Sequence, residues 1–409
     1  MSSQPRFSNR VNTIAVSATK AMAEKAARIG GCVSLGQGVP SFATPAEVID
    51  RLTEALTTNP ACGKYTLQTG MLALRQRIAH RLLDEQGLKI DAEREICLTV
   101  GAMEGLLATL MSVVDPGDEV ILPSPTYASY IEQVHLCGGL PVYAPLQEDW
   151  SLDVEAITRA ITPKTRALML CNPGNPTGNV ISEQEVLALC ELAVQYNFVL
   201  VVDATYDYLV FDAPTPLNPL GLPEFRHHVV SVSSLSKKFA LTGWRIGWVT
   251  AAAPLMAQIM KVHDATTICA PTPSQFAALA ALDMDGQWLQ DCRQQLRRRR
   301  DLCCTRLDAL GDFFSYVQPQ GAFYVMARYR FSNRPSQEVA EFLLHGARVI
   351  TIPGGSYGPG GEGHLRLSFG GEEAEINTAF DRIESWLRDG SAAIEAQTCS
   401  ARGKAVTKL

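Results

Sequence analysis

Little in this chain of 409 residues favours a polyanion or a bilayer as partner. Its 36 Lys and Arg are outnumbered by 42 Asp and Glu, for a net charge of −6, and the two signs are interspersed. No basic field therefore exists to hold nucleic acid or an anionic membrane. No stretch approaches the roughly 18 to 20 apolar residues that cross a bilayer, and Met1 to Ser17 lacks the apolar core of a secretion signal. A soluble, cytoplasmic protein acting on small molecules is expected. The 11 cysteines are odd in number, form no Cys-x-x-Cys pair and sit mostly in apolar segments, as reduced thiols packed as small hydrophobes do. The 7 histidines have no metal-ligand spacing, so neither disulfides nor a metal are expected. No repeat of fixed period occurs.

What is present is a large core. The hydrophobic content is 46%, and the length exceeds one typical domain. From Glu95 onward short β-branched runs alternate with longer amphipathic segments. Strands are read at Ile96–Val100, Glu119–Pro123, Leu140–Tyr143, Ala167–Leu170 and Val199–Asp203, with helices such as Met103–Val114 and Glu183–Gln195 between them. That alternation predicts an α/β fold with a mainly parallel sheet covered on both faces, and ligands at the carboxyl ends of its strands. Further helices follow at Pro254–His263, Pro273–Met284 and Trp288 to about Leu310, then strands at Phe323–Met326 and Leu365–Phe369. The run Arg297–Arg300 points around a whole helical turn and makes no single basic face, so it reads as a solvated, salt-bridged helix. Gly36-Gln37-Gly38 follows a short strand, but Pro40 and the missing third glycine argue against a dinucleotide loop.

One stretch concentrates chemistry: Ser234-Leu-Ser-Lys-Lys-Phe-Ala-Leu-Thr-Gly-Trp-Arg-Ile-Gly-Trp248. A buried strand, His228 to Ser233, delivers Lys237 to its mouth, and Gly243 breaks the following segment so that Arg245 returns beside it. Hydroxyls with a forked cation suit a phosphate, and an amine among them is placed to condense with an aldehyde on the same ligand. Taken alone, the stretch also reads as a strand end followed by a basic, solvated turn.

The pattern S-x-S-K-x-F-x-x-x-G-x-R-x-G resembles the signature of the class I/II pyridoxal-phosphate (PLP) aminotransferases of fold type I. The resemblance extends from about Leu35 to Trp386, through Gly36-x-Gly38-x-Pro-x-Phe42, Tyr65-x4-Gly70-x3-Leu-Arg75, Asn172-Pro-x-Asn175-Pro-Thr-Gly178, Asp203-x-x-Tyr206 and Arg366-x-Ser-Phe369. It implies PLP as cofactor, with Lys237 as the imine-forming and proton-moving lysine. It implies phosphate contacts from Arg245, Ser234, Ser236 and the Ala102 and Met103 amides, the last two at a helix start where an anion is stabilised. Tyr127 would stack on the ring, Asp203 pair with the pyridine nitrogen, and Asn175 and Tyr206 meet the phenolic oxygen. Arg366, with Gly38 and Asn175, would hold the substrate carboxylate. Tyr65 would cross to the phosphate of a second subunit, implying a homodimer with shared sites. From the residues alone, Tyr65 is equally a tyrosine packed on a helix start, Asp203 a turn cap, and Arg366 half of a structural ion pair. Tyr130 reads as structural, Lys238 as pointing away, and Gly354 to Gly361 as a flexible loop able to close over substrate. Ala204 departs from the family's usual glutamate and touches only local packing.

The resemblance implies a large PLP-binding domain over 46–285 and a smaller α+β domain from 1–45 and 286–390, while the small and polar residues of 391–409 read as a loosely ordered tail. Relatives that prefer aspartate place a lysine where this chain has Met103, which turns the expected amino donor towards neutral, aromatic or thioether side chains, with 2-oxoglutarate a plausible acceptor. A carbon–sulfur β-lyase or another PLP enzyme of secondary metabolism would use the same lysine, aspartate and arginine. A PLP-sensing transcription regulator is set aside, because the segment ahead of Leu35 is too short for a winged helix.

Overall fold

The computed structural model describes residues 5–403. Seven strands form the central sheet, in the spatial order Ile96–Thr99, Gly247–Ala251, Val229–Ser234, Val199–Asp203, Thr165–Cys171, Glu119–Ser124 and Leu140–Pro145. All pairings are parallel except those of Gly247–Ala251, which runs against both neighbours. The sheet is apolar on both faces because helices cover both. Leu106, Leu110, Met256 and Ile259 pack on one side, and Val186, Leu189, Cys190 and Phe198 on the other. The carboxyl ends Thr99, Ser124, Cys171, Asp203 and Ser234 consequently share one edge of the sheet.

A second, four-stranded antiparallel sheet has the order Ile352–Pro353, His364–Ser368, Tyr324–Tyr329 and Phe314–Tyr316. Beside it Val33–Ser34 pairs in parallel with Val349–Ile350, so the chain's early residues complete a layer made by its late ones. Helices Ala18–Ile29, Gln287–Ala309, Ser336–Gly346 and Glu373–Gly403 border this layer, with Phe323, Leu343 and Phe380 in its core. The two layers meet where the entry to strand Tyr324–Tyr329 is pinned by backbone bonds: Gly321 N donates to Gly178 O and Ala322 N to Leu209 O.

Three expectations change. The chain from 391, read as a loose tail, continues the last helix to Gly403, and 404–409 lie outside the described residues. The basic run is only half solvated. Arg297 and Arg298 are exposed, but Arg299 and Arg300 are buried, bonded to Glu372 and Asp212 and lying 5.1 and 4.9 Å from the Phe42 and Phe211 rings. The reason is the one that dispersed the run: successive side chains point around the helix, so some of them face the interior, where each finds a carboxylate and a ring face. The glycine-rich segment is not loose either. It forms two 3-10 turns, Gly354–Tyr357 and Pro359–Gly361, clasped to the large sheet by Gly360 N to Ser124 Oγ (3.0 Å) and Thr126 N to Tyr357 O (2.8 Å).

Gly247 shows how tightly the sheet edge is closed. A Cβ there would stand 2.6 Å from Ser233 O and 2.8 Å from Ala102 N, backbone atoms that cannot swing aside, whereas a Cβ at Gly243 meets nothing within 4 Å. Gly247→Ala is expected to cost about 1–3 kcal/mol through overpacking and Gly243→Ala far less, a contrast read directly from denaturant melts of the two variants.

Candidate active site

Strand Val229–Ser234 ends in a one-turn helix, Leu235–Lys238, whose first amides need a cap. Ser234 Oγ supplies it, accepting from Ser236 N at 3.0 Å, and also lies 3.0 Å from Ile246 O and 2.8 Å from Ser236 Oγ. This turn separates the two lysines. Lys237 enters a cleft of about 630 Å³ and donates to Gly38 O. Lys238 points the other way, as expected, but into a buried acidic niche, 3.2 Å from Glu85 and 3.9 Å from Asp207.

The cleft is lined by Gly38, Tyr127, Asn175, Tyr206, Lys237 and Arg366 of the expected residues, together with Tyr324 and Tyr357 and the segment from Ala15 to Ala21. Arg366 leaves the middle of strand His364–Ser368. Its guanidinium donates to Asn175 Oδ1 (3.2 Å) and Gly36 O (2.8 Å) and lies over the Tyr324 and Tyr357 rings, at 4.5 and 5.1 Å. Among the described residues no carboxylate pairs with it, so the structural ion pair is not made there. Because Asn175 accepts through its oxygen, its amide N–H groups are left to donate. Tyr206 is hydroxyl to hydroxyl with Tyr324 at 2.8 Å.

At the floor, Asp203 is 5% exposed. One oxygen accepts from Thr205 N (3.0 Å), which is the turn-cap geometry, while the other accepts from Tyr130 Oη (2.8 Å). Among the described residues no cation pairs with it, and burial raises its carboxyl above the usual carboxylate range against the pull of those hydrogen bonds. A buried carboxylate left in this state is stabilised by a cationic or N–H-bearing guest. Tyr130 thus belongs to the site and not merely to the scaffold. The signal was present in its spacing, since residues three apart on helix Ala128–Leu136 and its cap, Tyr127 and Tyr130, share a face. Tyr324 and Tyr357 had no comparable signal, because what brings them to Arg366 is register within the antiparallel sheet: Tyr324 stands on the strand to one side of the Arg366 strand, and Tyr357 follows Ile352–Pro353 on the other.

Arg245 has φ +53° and arches over the turn that starts helix Gly101–Val113. Gly101 has φ +72°, and a Cβ on it would stand 2.7 Å from Arg245 Nη2, so the guanidinium lies against the start of the helix to which Ala102 and Met103 belong. Lys237 lies within the field of all these charges. Burial lowers its ammonium to about 8, Arg366 and Arg245 push in the same direction, and Asp203 opposes them. An amine in a cleft, a guanidinium over a helix start, and a buried carboxylate with no cation among the described residues fit the three ends of a phosphorylated pyridine aldehyde. Tyr65 stands apart, 78% exposed, on a loop tied to helix Thr272–Asp283 through Thr272 Oγ1 to Lys64 O. No helix among the described residues is long and apolar enough to cross a membrane.

Comparison with known proteins agrees with this geometry. Residues 30–383 match the family model described as aminotransferase class I and II. The chain is 31% identical to the aromatic-amino-acid aminotransferase 2 of Thermococcus litoralis, covering 94% of this chain and 98% of that protein. It is also 31% identical, with the same coverage, to the aspartate aminotransferase of Pyrococcus abyssi. A solved structure of a Thermus thermophilus aspartate aminotransferase single mutant superposes with a TM-score of 0.86 at 34% identity, over 93% of this chain and 99% of that one.

The lowered Lys237 value has a consequence for the cofactor-free protein. Between about 8 and 10.5 the unfolded chain holds a proton that the folded chain has released, so stability rises with pH across that window, by roughly 2–3 kcal/mol from this group. Lys237→Met is expected to be the more stable protein at pH 7 and to lose that rise, measured as the difference between the two melting curves from pH 7 to 10.

Proposed function

The chain belongs to the class I and II aminotransferases, and on that premise we propose that it uses PLP to move the amino group of an L-amino acid with a neutral, aromatic or thioether side chain to a 2-oxo acid such as 2-oxoglutarate. The observation that carries the reading is one amine, Lys237, standing in a cleft within the field of Asp203, Arg245 and Arg366, each from a different part of the chain.

In this reading Arg245, Ser234, Ser236 and the Ala102 and Met103 amides hold the cofactor's phosphate. Tyr65 of the partner subunit completes that cradle in a homodimer. Asp203, oriented by Tyr130 and Thr205, keeps the pyridine nitrogen protonated. Tyr127 faces the ring, and Asn175 and Tyr206 meet its phenolic oxygen. When bound, PLP supplies the aldehyde that takes up the amino group and an electron-poor ring that stabilises negative charge at Cα. Arg366 holds the α-carboxylate by its fork, with Asn175 and Gly38 alongside. Lys237 Nζ would take the proton from the substrate's Cα and give it back on the cofactor side, a transfer that a proton affinity close to neutrality favours. The proposed division follows the same plan: 46–285 carries the cofactor, and 1–45 with 286–390 carries the carboxylate anchor across to it.

The two curated relatives, named for aromatic amino acids and for aspartate, stand at equal identity, so their names do not choose a donor. The cleft supports the neutral class. Its walls include Val16, Ala18, Tyr127 and Tyr357, and its acidic side chains, Glu132 and Glu362, repel a second carboxylate, with the exposed Lys20 as the cation among the wall residues from Ala15 to Ala21.

Single additions of phenylalanine, tyrosine, methionine and aspartate to the purified yellow protein are expected to bleach the aldehyde-derived absorbance with the first three and weakly with aspartate. No conversion by any amino acid overturns the reading, and pyruvate and ammonia released from cysteine conjugates without an oxo acid would identify a β-lyase instead. Arg366→Lys loses the fork and is expected to raise KM for amino and oxo acid about 10- to 100-fold, with a smaller change in kcat.

A further inference from the structure

The proposed phosphate cradle contains an anion of its own. Glu104 lies in the first turn of helix Gly101–Val113, the helix whose leading amides are assigned to the phosphate. A carboxylate at that position is drawn to the same positive end of the helix as a phosphate is. Its two oxygens are both engaged elsewhere. Oε2 accepts from Val100 N at 3.2 Å, just ahead of the left-handed Gly101, and Oε1 is 3.0 Å from Nδ1 of His263.

His263 comes from helix Ala253–Thr267, which packs along Gly101–Val113, and it is fully buried between them. Against a carboxylate, Nδ1 must be the donor. Thr267 Oγ1 is also 3.2 Å from that nitrogen, and 3.2 Å from the His263 carbonyl to which it donates. Nε2 is buried with no hydrogen-bond partner. A buried histidine that leaves one nitrogen unpaired in order to present the other to Glu104 costs free energy, and a packing role alone would be filled by an apolar side chain at no such cost.

We propose that His263 is a positioning residue for cofactor affinity: by holding the Glu104 carboxylate against the Val100 side of the turn, it keeps the enzyme's own anion off the amides that the PLP phosphate needs. The inference rests on the phosphate reading given above. Without His263, one oxygen of Glu104 has no fixed partner and turns towards the head of its own helix, where it competes with the phosphate.

The test is titration of cofactor-free protein with PLP, followed by absorbance, beside melting temperatures of the same samples. His263→Leu is expected to weaken the PLP Kd about tenfold, within the range of a charge at a helix end. Glu104→Gln is expected to bind PLP at least as tightly as the unaltered protein, and the double variant to recover to within about threefold of it. Pyridoxal, which lacks the phosphate, is expected to bind His263→Leu and the unaltered protein alike. An unchanged PLP Kd in His263→Leu overturns the inference. So does a loss that Glu104→Gln fails to rescue, or one that pyridoxal shares, since either marks general disruption. Failure of the unaltered protein to bind PLP at all overturns the underlying phosphate reading instead.

Discussion

Holding one ammonium in a dry cleft beside two guanidinium groups is the constraint on which the site is built. Desolvation and like charge both press the Lys237 proton off, and the folded chain tolerates this because each neighbour is fixed independently. Arg366 is braced by Asn175, Gly36 and two tyrosine rings. Arg245 is tied to Thr242 O at 2.9 Å over a glycine that has no Cβ to obstruct it. Asp203, the one opposing charge, is fixed by Tyr130 and Thr205 and cannot move up to neutralise the amine. The arrangement is strained electrostatically in the free protein, and the proposed guest would relieve it by bringing a phosphate to Arg245, a ring nitrogen to Asp203 and a carboxylate to Arg366.

The sheet places these groups without long reaches. Five strand ends open on one edge, so residues far apart in sequence emerge side by side. The antiparallel layer supplies what the parallel one lacks, an arginine entering from the opposite wall. The cleft therefore lies between two sheets that meet through short backbone ties, and in the proposed reading the geometry of a bound carboxylate would depend on both.

Much of this was legible in the residues. Short β-branched runs alternating with amphipathic segments gave the parallel sheet nearly strand for strand, because a sheet covered on both faces must be written in apolar runs. The choice of Lys237 over Lys238 followed from the resembled motif, whose S-x-x-K spacing from Ser234 it matches, and of the two the structure places Lys237 in the cleft. Other features rest on contacts that no local pattern encodes. Tyr324 and Tyr357 acquire their place from strand register in the antiparallel sheet, and Arg299 and Arg300 are buried because their helix faces a junction. The glycines from Gly354 to Gly361 suggested mobility from composition, yet they permit close backbone approach to Ser124 and Pro125, which makes the segment tight. The helical backbone of 391–403 was hidden by small and polar residues that favour no state strongly.

Because that clasped segment is firmly held, traffic through the cleft falls to its other wall. The residues from Ala15 to Ala21 border the opening, and their early part is tethered by little more than Ala15 N to Glu132 and Arg10 to Leu136 O. The doorway is thus made of a lightly tethered stretch of chain, so a change within it would be felt in how quickly molecules enter and leave, ahead of the chemistry behind the door.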